Sequence, residues 1–302
     1  MTERQGGAQR RYRLTLRGRE VELGPRTWIM GVLNVTPDSF SDGGLFEDTA
    51  AAVRRGLALF QAGADVVDVG GESTRPSAAP VDEGEERRRV VPVIRALREA
   101  AAGFLSVDTT KASVAEAALD AGADLVNDVS GFSFDPELPR LVAQRGVPVV
   151  LMHLRGTFAT MHRAPRYEDV AAEVAVELSR AVARAERAGV ARGQIVLDPG
   201  IGFAKDASHS LELLRRLPEL QSLDRPLLVG PSRKSFIGKA LGGAPADRRL
   251  MGTAAAVAVA VMGGAHIVRV HDVAEMADVV RVCDAIREGA AAIAPAPAAE
   301  TA

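Results

Sequence analysis

Residues 62–69 read AGADVVDV, and the pattern returns at 121–128 as AGADLVND and, more loosely, at 263–270 as GGAHIVRV. Each copy is a helix end, a glycine turn and a short strand, so each is one unit of a repeating α/β architecture. Working outward, short apolar and mostly β-branched runs fall at 27–33, 65–69, 104–108, 124–128, 147–152, 194–198, 226–230 and 265–270. Strands this apolar are covered on both faces. Amphipathic segments lie between them at 48–62, 82–101, 111–121, 136–145, 168–188, 207–216, 246–262 and 272–287. Eight such units predict an α/β fold, a (β/α)8 TIM barrel. The alternative is an open doubly wound sheet, and no GxGxxG follows the first strand to support its dinucleotide-binding form. Ahead of the barrel, RYRLTLRGREVEL at 11–23 alternates about Arg17 and Gly18 and predicts a short N-terminal β-hairpin. The expected organisation is a disordered stretch over 1–10, a single domain over 11–288 and a loose Ala/Pro-rich tail over 289–302.

Composition narrows the function. The chain has 302 residues, 47% of them hydrophobic, enough for one large core. Its net charge is −2 with no basic block, which argues against nucleic acid as a principal partner. No run of about 18 apolar residues exists to span a membrane. The run Ala254 to Met262 is too short, ends at Gly263 and Gly264, and reads as a buried helix. The N-terminus lacks the apolar centre of a secretory signal, and the one cysteine, Cys283, has no partner for an internal disulfide. Both fit a cytoplasmic protein.

A parallel barrel keeps its active site at the carboxyl ends of its strands. Those ends are polar at every unit: Asn34; Gly70 to Pro76; Asp108 to Lys111; Asn127 and Asp128; Met152 and His153; Asp198 to Gly200; Ser232 to Ser235; and Arg269 with His271. Asp128 and Asp272 also suit the opening of the next connection. Buried carboxylates must be paired or hydrogen-bonded. Asp108, Asn127 and Asp198 therefore suit a planar heterocycle rich in N–H groups, while Lys234, Arg269 and His271 suit anionic oxygens, aided by nearby helix starts. Structural ion pairing in the barrel mouth is the plainer explanation of the same charges.

The segments carrying these residues resemble, in order, the motifs of the dihydropteroate synthase family: NVTPDSFSDGG (34–44), DVGGESTRP (68–76), VDTTK (107–111), NDVSG (127–131), LDPGIGF (197–203), GPSRKSFIG (230–238) and VRVHDV (268–273). The resemblance runs from about residue 28 to 287. It implies a (β/α)8 barrel, usually a homodimer. It also implies condensation of 6-hydroxymethyl-7,8-dihydropterin pyrophosphate with 4-aminobenzoate, with Mg2+, in folate synthesis. By the resemblance, the pterin pocket falls on Thr74, Asp108, Asn127, Met152, Asp198, Lys234 and Arg269. The pyrophosphate side falls on Asn34, Thr74, Arg269 and His271, with the Asn34 amide oxygen contributing to the Mg2+ site. The aminobenzoate side falls on Phe40, Arg75, Pro76, Phe203 and Ser235. Catalysis is expected from Asp108, Lys234, Arg269 and His271.

The chemistry of these residues agrees. Asp198 can accept from a ring N–H and an amino group as a pair, Asn127 can donate and accept, and Lys234 can donate to a carbonyl or ring nitrogen. Arg269 can stack on a ring or reach phosphates with its planar guanidinium. Met152 suits apolar packing under a ring. The arylamine is itself the nucleophile, and neither a GxSxG elbow nor an HExxH site is present. Two departures from the family pattern stand out: Ala204 where glycine is common, and Phe158 where proline is frequent. A methyltetrahydrofolate–corrinoid methyltransferase shares the barrel and the acidic pocket but needs neither SRKS nor the anion ring. A non-catalytic paralogue would have lost loop-one residues or the Arg269/His271 pair, and both are intact.

Overall fold

A computed structural model describes residues 9–36, 44–73, 80–161 and 166–289. Phe40, Thr74, Arg75 and Pro76 lie outside the described residues, as do residues 1–8 and the tail from 290. Strands β1 (Tyr12–Leu16) and β2 (Arg19–Leu23) pair antiparallel, Leu14 opposite Val21. Arg17 and Gly18 both take positive φ, 53° and 69°, as a two-residue hairpin loop of the twist-matching kind demands. Alternation then buries Leu14, Leu16 and Leu23 on one face.

Eight parallel strands follow: β3 (Trp28–Asn34), β4 (Val66–Gly70), β5 (Phe104–Asp108), β6 (Leu125–Asp128), β7 (Val149–Met152), β8 (Ile195–Asp198), β9 (Leu228–Val229) and β10 (Ile267–Val270). They run in the order β8-β7-β6-β5-β4-β3-β10-β9, and Leu197 pairs with Leu227 across the remaining gap to close a barrel. Helices α1 (Gly44–Gln61), α2 (Glu83–Ala100), α3 (Ala112–Asp120), α4 (Leu138–Arg145), α5 (Val170–Arg187), α6 (Ala207–Arg215), α8 (Leu250–Met262) and α9 (Val273–Glu288) alternate with the strands. A further short helix, α7 (Ser235–Ala240), falls within a stretch that shows no helical periodicity of its own. The residues 246–248, expected in the following helix, instead form a separate tight turn. Gln9 and Arg10, expected in a disordered stretch, hydrogen-bond the carbonyls of Ala265 and Gln221.

The repeated segments share one device. Gly63, Gly122 and Gly264 all turn with φ near 100° (106°, 113° and 96°). Two residues later, a side chain reaches back to a backbone N–H of the preceding barrel strand or its approach. Asp65 accepts from Ile29 at 2.8 Å, Asp124 from Leu105 at 2.7 Å and the His266 Nδ1 from Leu227 at 3.2 Å. Two aspartates and a histidine therefore fix the start of three strands by the same kind of bond.

Apolar residues form two clusters. One fills the shell between strands and helices. The other fills the amino end of the barrel, where Trp28, Met30, Val66, Leu125, Val150, Val196, Leu228 and Ile267 point inward and the hairpin leucines cap them. Trp28 stacks on Phe104 there, ring centroids 5.6 Å apart. The hairpin is thus a plug, and the polar ends of the strands open at the opposite side. Leu23 is fully buried in that plug. Leu23→Ala should cost about 2–4 kcal/mol in a denaturant titration and leave the ligand affinities of the folded protein unchanged.

Candidate active site

Inward-facing positions near the carboxyl ends of the strands carry the site. Arg269 pairs in register with Met30, so its side chain enters the barrel two residues beyond Ile267 of the apolar floor. Its Nε donates to Asp68 Oδ2 at 2.7 Å and its Nη2 to Asp108 Oδ2 at 2.7 Å. Asn127 Nδ2 donates to the same Asp68 oxygen at 2.9 Å. Asp68, Asn127 and Arg269 occupy one equivalent position of the AGADVVDV repeat. Sequence reasoning missed Asp68 as a site residue, although alignment of the repeat with Asn127 and Arg269 was the available signal. Because Asp68 only accepts, the Asn127 amide must present its NH2 to it, which leaves Asn127 Oδ1 as an acceptor.

Charge in this network is balanced unevenly. Burial is the largest influence on Asp108 and pushes its carboxyl up to about 7, with the Asp68 charge adding to it and the Arg269 guanidinium opposing it. Arg269 is held charged: burial opposes this, and the carboxylates of Asp68 and Asp108 outweigh it. Asp68 is fully buried, and its Oδ1 has no hydrogen-bond partner among the described residues.

Asp198, at the end of β8, stands in register with Met152. Its Oδ1 accepts from Gly200 N–H at 2.7 Å. Gly200 has φ 67°, and a Cβ there would lie 2.2 Å from the His153 carbonyl oxygen, so only glycine fits. Burial pushes the Asp198 carboxyl up to about 6, against the Gly200 N–H and the Lys234 charge. Lys234 caps α7 with an extended backbone, and its Nζ sits 3.7 Å from the Phe203 ring centroid. Burial and the Arg269 charge bring its ammonium down to about 8.

The loop after β8 is strained. Gly200, Gly202 and Ala204 alternate at positive φ, 67°, 78° and 48°. The two glycines take this without penalty, but a left-handed alanine costs about 1–2 kcal/mol. Ala204 therefore holds a backbone shape for which glycine is the easier residue. Phe158, the other departure, packs edge-on against Phe134 at 5.4 Å.

On the β10 side, Ser232 Oγ accepts from the His271 backbone N–H at 3.2 Å and lies 3.0 Å from His271 Nδ1. The hydroxyl can then donate to Nδ1, which places the imidazole hydrogen on Nε2. Burial, with Arg269 and Arg233 nearby, lowers His271 to about 4 and keeps it neutral. Asp272 does not cap α9; it pairs with Arg233, Nε to Oδ2 2.9 Å. Asp128 serves a turn, accepting from Ser130 N–H at 2.8 Å. Asn34 ends β3 exposed, in register with Gly70, which in turn pairs with Asp108. Ser235 is the exposed first residue of α7.

The structure thus joins Asn127 to Arg269 through Asp68, joins Arg269 directly to Asp108, and joins Lys234 to Phe203. It sets Asp198 beside Met152 and His271 on Ser232. Among the described residues no three His, Cys, Asp or Glu side chains gather to hold a metal ion, and no helix is long and apolar enough to cross a membrane.

Comparison with known proteins shows the family. Residues 30–271 match the family of pterin binding enzymes. The dihydropteroate synthase of Synechocystis sp. is 50% identical over 265 residues, covering 88% of this chain and 92% of that protein. That of Escherichia coli is 47% identical over 257 residues, covering 85% and 90%. The Xanthomonas albilineans dihydropteroate synthase solved with 4-aminobenzoic acid superposes with a TM-score of 0.86 at 44% identity, over 93% of this chain and 100% of that one. The enzyme from the same organism in complex with 7,8-dihydropteroate superposes at 0.83 and 42% identity, over 92% and 99%. The chain belongs to the dihydropteroate synthases, within the family of pterin-binding enzymes.

Proposed function

We propose that this chain joins 6-hydroxymethyl-7,8-dihydropterin pyrophosphate to 4-aminobenzoate, releasing 7,8-dihydropteroate and pyrophosphate in folate synthesis, with the roles below. The observation that carries the assignment is the set of acceptors at the strand ends, buried Asn127 Oδ1 and Asp198 with half-buried Asp108, set beside Lys234 and Arg269. A generic phosphate site would leave those acceptors without a purpose.

Asp198, ionised, accepts from the pterin ring N–H and 2-amino group, with Gly200 fixing its other oxygen. Asn127 accepts through Oδ1, since Asp68 commits its NH2. Lys234 donates to the pterin carbonyl or ring nitrogen, and Met152 packs beneath the ring. The amine of 4-aminobenzoate attacks the methylene carbon on pterin C6. The carbon–oxygen bond to pyrophosphate breaks, and the nitrogen gives up one proton. Where that bond breaks first, Asp108 faces the cationic dihydropterin and stabilises it. His271 offers Nε2–H to the departing oxygens, and Arg269 adds fixed positive charge. Phe203 and Ser235 border the aminobenzoate, together with Phe40, Thr74, Arg75 and Pro76 of the two loops outside the described residues.

Mg2+ fits this site in a limited way. Exposed Asn34 offers one amide oxygen, and with no acidic cage among the described residues the ion would take its other ligands from pyrophosphate and water. When bound, it neutralises charge on the departing pyrophosphate.

The proposal includes a homodimer and a cytoplasmic location. α8 turns Thr253, Ala256, Val257, Ala260 and Val261 inward and leaves Met251, Ala255, Val259 and Met262 exposed along its other face. On adjoining α9, Val282 and Ile286 are exposed, Ile286 at 66% and Met251 on α8 at 79%. Such a stripe on two packed helices supports a self-complementary interface. Cys283, buried, needs no oxidising compartment.

Pyrophosphate release should depend on Mg2+ and match dihydropteroate formed; Asp198→Ala should weaken pterin binding about 10–100-fold, whereas His271→Ala should lower turnover more than pterin affinity. Pterin binding with no condensation would instead indicate a paralogue that kept the pocket and lost the chemistry. Asp198→Asn keeps the Gly200 bond but removes a buried carboxylate whose folded pKa is raised. The wild-type penalty therefore exists above about pH 6 and fades toward pH 4. The variant should gain about 1–3 kcal/mol in stability at pH 8 and nothing at pH 4 in chemical denaturation. Finally, Met251→Asp should convert a sedimenting dimer to monomer; an unaltered dimer would move the interface elsewhere.

A further inference from the structure

Behind the β8–α6 loop lies a polar cluster that no step above uses. Lys205 is buried and its ammonium has three neighbours, one for each of its hydrogens: His153 Nδ1 at 2.8 Å, Gly200 O at 3.1 Å and Phe203 O at 3.0 Å. Because the ammonium only donates, His153 Nδ1 accepts, and its Nε2–H donates to Glu177 Oε2 at 2.9 Å. The His153 backbone N–H in turn holds the Asp198 carbonyl at 2.9 Å. Arg155 also pairs with Glu177, Nε to Oε1 3.0 Å, and lies 4.0 Å over the Tyr167 ring. The Tyr167 hydroxyl donates to Ala204 O at 2.9 Å. Gly200, Phe203 and Ala204 thus each have their carbonyl held from behind, in a loop whose alternating positive φ values would otherwise relax.

We propose that Lys205 is a positioning residue for the second substrate: seated on His153 and backed by Glu177, it fixes the Gly200 and Phe203 carbonyls and so sets the Phe203 ring against Lys234 as the wall for the aryl ring of 4-aminobenzoate. This rests on the assignment of Phe203 to the aminobenzoate side. Lys205 touches no proposed substrate atom; it acts through the loop. Burial lowers its ammonium to about 7, while Asp198 and Glu177 oppose that shift and the three acceptors suit the charged form. Asp198 belongs to β8 and keeps its ladder bonds, so the pterin side depends less on Lys205 than the Phe203 side does.

The test uses the full-length enzyme with pterin pyrophosphate saturating and 4-aminobenzoate varied. Lys205→Met keeps the volume and removes every donor. It should raise the aminobenzoate KM roughly tenfold while kcat and the pterin Kd, read separately by calorimetry, stay within about threefold. Tyr167→Phe loses one hydroxyl and should raise the same KM by about threefold; it decides alone if Lys205→Met does not fold. An unchanged aminobenzoate KM in the folded variants overturns the proposal, as does an equal fall in kcat and pterin affinity. Phe203→Ala separates the two assumptions. If it raises the aminobenzoate KM and the other variants do not, the role of Lys205 alone is wrong. If it too changes nothing, the Phe203 assignment fails and the proposal with it.

Discussion

One guanidinium between two carboxylates permits the carboxyl end of this barrel to be polar. Asp68 is fully buried, and an unpaired carboxylate there would cost several kcal/mol. Arg269 meets it through Nε and reaches Asp108 through Nη2, a fork that a lysine ammonium on a flexible stem would not reproduce with the same geometry. Asn127 is oriented by the same Asp68 oxygen, so the direction in which its amide can read a ligand is decided one layer below the pocket. Asp108 is left with a raised pKa and Lys234 with a lowered one. Burial is the largest cause of both shifts.

The AGADVVDV repeat explains how such a cluster arises. Its backbone part is constant: a left-handed glycine, then a side chain that accepts from the neighbouring strand. Its inward position differs in each copy, as Asp68, Asn127 and Arg269. One strand-start device therefore delivers an acid, an amide and a base to nearly one level of a closed sheet, where their hydrogen-bonding capacities match.

Much of this was legible in the sequence. Each barrel strand falls within a few residues of its expected span, because runs such as Val147 to Met152 are apolar on both faces and preceded by glycine. The hairpin was equally plain, since Arg17 and Gly18 interrupt a strict alternation. The short helix α7 was not, because six residues cover less than two turns and show no period. Nor was Asp68: within a strand it reads as one polar residue among valines, and its meaning depends on Arg269, 201 positions away. Lys205 was hidden for the same reason, as its acceptors lie on a loop and on β7's end. The expected cap at Asp272 was overridden by Arg233, a partner no local pattern announces.

The hairpin plug bears on the sequence of events in catalysis. With Leu14, Leu16 and Leu23 packed over the amino end, the barrel is a vessel with one mouth. Under the roles proposed above, what rests deepest, near Asn127 and Asp198, arrives before what lies over it against Phe203, and the upper occupant blocks its exit. A product spanning both levels must leave by withdrawing its deepest part last. The order of traffic through the site then follows from a floor far from the chemistry, the barrel's own apolar layer with three leucines packed over it.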